Sequence, residues 1–226
     1  MSAGVKWIAF VKRKPGLSVE AFRTRWRAAS AEPFLRIVGL RGYVQSEVLL
    51  SGYRKGEPFC DALAELWFAD REALEVARAS AAWAAARADA QELCEAAATI
   101  PLLTAEHLIK DGPKSPTGVK NVELVTRRRD LRVEEFHRYW LERHGPLAAK
   151  IPPILRYVQS HSIDDPNTRR YDGIASTWFE NTDAMRHSAT TPEYRYTRDD
   201  EANFVAGPLS FVITRERVVL EPPALA

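Results

Sequence analysis

Residues 5–12 form a short apolar run of β-favouring side chains closed by Pro15-Gly16, the pattern of a strand entering a turn. Three- and four-residue spacing then takes over. Val19, Phe22 and Trp26 share one face of a predicted helix, which Ser18 caps and Glu20 supports in its first turn. Residues 42–50 and 63–68 read as strands, 71–98 as an alanine-rich helix broken near Ser80, and 101–109 as a last strand. The order is β-α-β-β-α-β, a ferredoxin-like unit.

The same rhythm returns after a Gly- and Pro-containing linker at 110–117. Strands are expected at 119–126, 155–163, 173–179 and 210–219. A helix at 133–143 is expected to stop at Gly145-Pro146, and further helical stretches to fill 182–188 and 192–205. At an offset of 114 residues, positions 5–46 share fourteen identities in forty-two with no gap, including Phe22/Phe136, Trp26/Trp140 and the quartet Tyr43-Val44-Gln45-Ser46, repeated at 157–160. Beyond the second strand the offset becomes 111, carried by Asp61/Asp172, Trp67/Trp178, Arg87/Arg198 and Asp89/Asp200. This is an internal duplication, with units expected at 1–110 and 118–222. Each sheet carries its helices on one face, so the bare faces are expected to cover each other and enclose a cavity. Alternation assigns Val122 and Leu124 to the helix side and Asn121, Glu123 and Val125 to that cavity. Trp7, Ala9 and Val11 stand there in the first copy. A cavity-facing Glu123 is a functional candidate; an exposed edge carboxylate is the alternative.

What the repeat does not keep is chemical. His144 stands opposite Ser30, Gly145-Pro146 opposite Ala31-Glu32, and His161 opposite Glu47. His144 follows Trp140 by four residues on the inward helix face. It reads either as a helix-end histidine or as an acid/base group titrating near neutrality. His161 shares its strand face with Tyr157 and Gln159. The three either line a cavity or form a buried hydrogen-bonded set beneath the helix. Because Tyr43 and Gln45 persist without the histidines, Tyr157 and Gln159 lean towards a structural role. His137 and His187 read as surface residues.

Composition narrows the field. The 226 residues are 46% hydrophobic and 27% charged, ordinary for a globular chain, and the net charge of +2 gives no reason to expect nucleic acid or a membrane as partner. Arg127-Arg128-Arg129, followed by Asp130, reads as a solvated loop. Cys60 and Cys94 lack metal-ligand spacing and read as reduced thiols of a cytoplasmic protein, and no apolar leader or spanning segment is expected. There is no phosphate-binding glycine loop, nucleophile elbow or zinc-spaced His/Cys cluster.

The second copy resembles the EthD family of the dimeric α/β-barrel superfamily. The resemblance is carried by Arg127-Arg128, Val133-Glu134-Glu135-Phe136, Tyr139-Trp140, Arg143-His144-Gly145-Pro146-Leu147 and Arg156-Tyr157-Val158-Gln159-Ser160-His161, with Asp200-Glu201 before Phe204. The first copy matches through Arg13, Pro15-Gly16-Leu17-Ser18, Phe22, Trp26 and Tyr43-Val44-Gln45, without the His-Gly-Pro signature. The resemblance implies an α+β fold, two ferredoxin-like units forming one barrel within a single chain. Superfamily relatives include cofactor-free cyclases, lactone isomerases, decarboxylases and quinone-forming monooxygenases, and also haem-binding enzymes. The expected function is cofactor-independent proton transfer on a small hydrophobic carbonyl or phenolic compound. His144 and His161 are the expected catalytic pair, Tyr157 and Glu123 assist them, and Asn121, Gln159 and Trp178 contact the substrate. No metal is called for, and a homodimer of the two-unit chain is allowed. The rivals are a haem enzyme with a histidine axial ligand and a non-catalytic binding module.

Overall fold

A computed structural model of the chain describes residues 4–29 and 31–225. The first unit runs β1 (Val5–Val11), α1 (Val19–Ala29), α2 (Ala31–Leu35), β2 (Gly42–Val48), β3 (Ala62–Phe68), α3 (Arg71–Arg78) and α4 (Ala81–Leu93), and ends in β4 (Ile100–Lys110). The second runs β5 (Val119–Val125), α5 (Val133–Tyr139), a π-helical turn (Trp140–His144), α6 (Gly145–Ala148), β6 (Arg156–Ser162), β7 (Gly173–Phe179), α7 (Thr182–Ser188), α8 (Pro192–Asp200) and β8 (Ser210–Leu220). The strands close into an eight-stranded barrel in the order β1-β3-β2-β8-β5-β7-β6-β4. By compactness the chain divides into 1–103 with 215–224, and 104–214 with 225–226, so β4 and β8 each begin in one unit and finish in the other.

Local chemistry sets the element ends. Ser18 Oγ accepts from Ala21 N–H at 3.1 Å, and Ser80, the residue at the expected break, caps α4 by accepting from Trp83 N–H at 3.1 Å. Asn181 and Thr191 cap α7 and α8 in the same way. Each unit also carries an Arg–Asp clasp at the end of its first strand. Asp61 accepts from the Arg13 backbone N–H at 2.8 Å and Asp172 from that of Arg127 at 2.9 Å, while both guanidinium groups pair with the same carboxylates. Arg127 is therefore an anchored residue and not part of a solvated loop.

The expected strand faces are reversed. Trp7 packs edge-on against Trp83 of α4 at 5.2 Å, and Ala9 and Val11 line a cavity with Phe34 and Cys94 beneath the same helices. By the repeat, Asn121, Glu123 and Val125 also face their own helix layer. Val122 and Leu124 are buried on the opposite face. The more apolar residues do not mark the helix side, because side chains on both faces of the strand are buried.

The Gly145-Pro146 pair does not stop its helix. Proline at 146 has no N–H for an α-helical bond, so the chain widens by a residue, and Gly145 N–H bonds to Trp140 O five residues back. The helix then resumes through Ala148. Gln159 on β6 reaches up and donates to the same Trp140 carbonyl at 2.8 Å. A Cβ on Gly145 would come within 3.0 Å of Gln159 Nε2, which is why glycine sits at this approach. Gln45 makes the matching bond to Trp26 O at 3.2 Å, so the glutamine ties helix to strand in both units.

Candidate active site

Three strands of the second unit supply the floor. Register places Glu123, Ala175 and Gln159 in one row across β5, β7 and β6, and Asn121, Thr177 and Tyr157 in the next. Small residues occupy the middle strand, so Glu123 and Tyr157 flank a shallow trough whose outer backbones are roughly 9–10 Å apart. Asn121 Nδ2 donates to Glu123 Oε1 at 3.0 Å, and Asn121 Oδ1 is buried without a partner. Burial raises the Glu123 carboxyl above the ordinary range, against the hydrogen bond from Asn121 and the field of Arg198.

Tyr157 is buried, and its phenolic oxygen accepts twice, from Trp140 Nε1–H at 3.2 Å and Gln159 Nε2–H at 3.1 Å. Both lone pairs are thereby used and the O–H is left as a donor. Burial dominates its ionisation and pushes the phenol up, so it stays neutral.

The helix layer adds a second group. His144, in the π turn, shares a 3.0 Å hydrogen bond with Asp200 Oδ2, while Tyr139 and Asn203 donate to Oδ1 at 2.7 and 3.0 Å. Burial would raise Asp200, but these three bonds outweigh it and hold the carboxyl low. An ionised Asp200 only accepts, so His144 carries its proton on Nδ1 and its lone pair on Nε2. Burial pushes the imidazole down more than Asp200 lifts it, keeping it neutral. One helical turn away, Arg198 donates to Glu201 at 2.8 Å. Burial, opposed by Arg198 and reinforced by Glu123 and Asp200, raises Glu201 to about 7.

His161 belongs to a different group. Its Nε2–H donates to Gln159 Oε1 at 3.0 Å, and its ring lies 4.7 Å from Trp140 at 12°, 4.3 Å from His107 and 4.4 Å from His137. Burial, with His137 and His107 adding, pushes it down to about 2. Of the two arrangements open for Tyr157, Gln159 and His161, the buried hydrogen-bonded set beneath the helix is the one present. His137 is half-buried within it and not on the surface; His187 is exposed. Among the described residues, no group of three or more His, Cys, Asp and Glu is disposed to hold a metal.

The structure thus brings Glu123, Asn121, Tyr157 and Gln159 together, sets His144 in the helix layer against Asp200 and Phe204, and keeps His161 in the packing. Trp178 pairs with Lys120 and lies on the other face of the sheet, away from Glu123. Arg198, Glu201 and Tyr194 are additions: the charge of Arg198 favours an ionised Glu123, and the charge of Glu123 in turn raises Tyr194 and Glu201. The retained Arg87/Arg198 pair was a signal for Arg198, whereas Tyr194 stands opposite Trp83 and left none. Ser30, the counterpart of His144, lies outside the described residues.

The EthD domain family matches residues 14–96 and again 128–208. No curated protein sequence matches the chain. Among solved structures, an anthrone oxidase-like protein is similar over 100% of this chain and 97% of its own, at 13% identity and a TM-score of 0.64. A haem-binding protein from Thermus thermophilus covers 96% of this chain and 92% of its own (14% identity, TM-score 0.51). A mutant chlorite dismutase from Candidatus Nitrospira defluvii covers 95% and 93% (11%, 0.52). At these identities the likeness is one of fold.

Proposed function

The chain belongs to the EthD family and carries two of its domains, and on that premise we propose that its second unit catalyses proton transfer next to the carbonyl of a small, largely apolar ketone or phenol. The reading rests on Glu123 and Tyr157 facing each other across Ala175 and Thr177, a carboxylate on one side and an obligate O–H donor on the other. Glu123 takes the proton from the carbon beside the carbonyl, and the electron pair of the C–H bond moves into an enolate. Its oxygen is met by the Tyr157 O–H, whose geometry is fixed before substrate arrives. Returning the proton to a different carbon isomerises the substrate. Attack of the enolate on an internal electrophile cyclises it, and loss of a β-substituent completes an elimination.

His144 with Asp200 serves as a second proton-handling pair at the helix layer. This replaces the expected leading role of His144 and His161 with Glu123 and Tyr157.

Haem is not served by either of the two histidines singled out from the sequence, His144 and His161. The lone nitrogen position of His161 is enclosed by aromatic rings, and His144 exposes 6% of its surface while packing 4.6 Å from the Phe204 ring. Neither offers an open axial position.

The test is deuterium incorporation into 2-tetralone and an aryl 1,3-diketone in D2O, followed by NMR on the full chain. Glu123→Gln should slow catalysed exchange by about 10²–10⁴-fold. Exchange that is undiminished in Glu123→Gln, or no faster with protein than without it across the panel, overturns the reading.

A further inference from the structure

The first unit has kept the trough and lost its acid. Its corresponding rows are Ala9–Ala64–Gln45 and Trp7–Leu66–Tyr43, so an alanine methyl stands where Glu123 stands and an indole where Asn121 stands. The result is a cavity of about 190 Å³ beneath α4, walled by Trp7, Val11, Trp26, Phe34 and Ala64. An apolar cavity of about 150 Å³ accepts benzene, so this one has room for a six-membered ring with substituents.

Two features make it selective. Trp26 is almost fully buried in the wall, and its Nε1–H has no hydrogen-bond acceptor, whereas the corresponding indole of Trp140 donates to Tyr157. The nitrogen itself has almost no accessible surface, so an acceptor oxygen in the cavity would meet it through a small shift of the indole, which relieves the orphaned donor. On the solvent side the wall is completed by Arg87 and Gln91, both exposed on α4. Arg87 makes no ion pair among the described residues. A charge is cheaply held at such a rim and expensively held at the buried end.

We propose that this cavity is a non-catalytic binding site for a monocyclic aromatic carboxylate bearing a second oxygen on its ring. The ring lies between Trp7, Trp26 and Phe34, the ring oxygen accepts from Trp26 Nε1–H, and the carboxylate meets Arg87 at the mouth. With alanine in place of the base, nothing in this trough removes a proton from what it holds. The site is independent of the chemistry assigned to the second unit.

Calorimetric titration of the full chain with 4-hydroxybenzoate, with benzoate alongside, tests it. Saturable binding is expected, with 4-hydroxybenzoate the tighter ligand. Arg87→Ala, an exposed substitution that leaves the fold intact, should weaken both ligands roughly tenfold by removing a charge-assisted hydrogen bond. Trp26→Phe should abolish the preference for the hydroxylated ring, and Ala90→Trp at the cavity wall should block both ligands. Glu123→Gln should leave the isotherms unchanged. Absence of saturable binding at millimolar ligand overturns the proposal. So does binding lost in Glu123→Gln but retained in Arg87→Ala and Ala90→Trp, which would seat the ligand in the second unit.

Discussion

Tyr157 is held by two donors, Trp140 and Gln159, and Tyr43 provides a built-in comparison, since Gln45 Nε2 donates to its hydroxyl at 3.1 Å in the unit that lacks the acid. Removing either hydroxyl leaves buried donors unpaired, a cost of about 1–3 kcal/mol. Tyr157→Phe, which unpairs Trp140 and Gln159, should therefore lose more stability by thermal melting than Tyr43→Phe, which unpairs Gln45, while only Tyr157→Phe slows deuterium exchange. Equal exchange rates in the two variants would make Tyr157 a packing residue alone. At this scale the sequence was legible where the copies agree and misleading where they differ. The Tyr-Val-Gln-Ser repeat identified the tie between helix and strand. The loss of both histidines drew attention to His161, yet its ring is held by stacking, and the loss of Glu123 to Ala9 is the difference that sits in the trough. Alternation gives two faces without saying which one meets the helices, and that ambiguity turned Glu123 away from its own helix layer; Trp178, paired with Lys120, lies on the opposite face from Glu123 in either case.

Among the elements, the π turn and the strand beneath it act together. The Trp140 ring lies over Gly173, where an added Cβ would come within 2.5 Å of the indole and 2.8 Å of the Ser160 carbonyl. Gly173→Ala should therefore cost about 1–3 kcal/mol through overpacking, measured by denaturant titration. Ala62 holds the corresponding position in the first unit, buried, so the cost belongs to the local seat of Trp140 and not to the fold. If Gly173→Ala melts like wild type, the indole has room to shift and the seat is looser than its contacts imply. Strand and helix order was readable from spacing alone, because the two periodicities are local properties. The π turn was not. A Gly-Pro pair is a stop signal in isolation, whereas here the helix continues with its Trp140 carbonyl tied to Gln159 of another strand.

For the whole molecule, all five histidines fall between residues 104 and 214. His107, His137, His144 and His161 are each pushed down, chiefly by burial. An imidazole kept neutral in the fold but titrating near 6.5 when unfolded contributes stability above that pH and loses it progressively in acid. With His161 held near 2, the loss at pH 5 is about 2 kcal/mol for that group alone. Glu201, raised to about 7, runs the other way. The folded state binds its proton more tightly, so its contribution falls as pH rises from the ordinary carboxyl range towards 7. Hydrogen exchange read by mass spectrometry should therefore show peptides of 119–214 losing protection between pH 7 and 5 before those of 5–103. Glu201→Gln should steepen that loss by removing the opposing group. Uniform loss across both regions, or a shallower slope in Glu201→Gln, would contradict the linkage.

A trough kept twice and armed once also sets a stoichiometry. An irreversible inhibitor aimed at the carboxylate should consume one equivalent per chain and abolish turnover outright, although the chain contains two copies of the domain. The chain's two-copy architecture is then no guide to the number of working centres. Quantitative labelling followed by peptide mapping to Glu123 would count them directly.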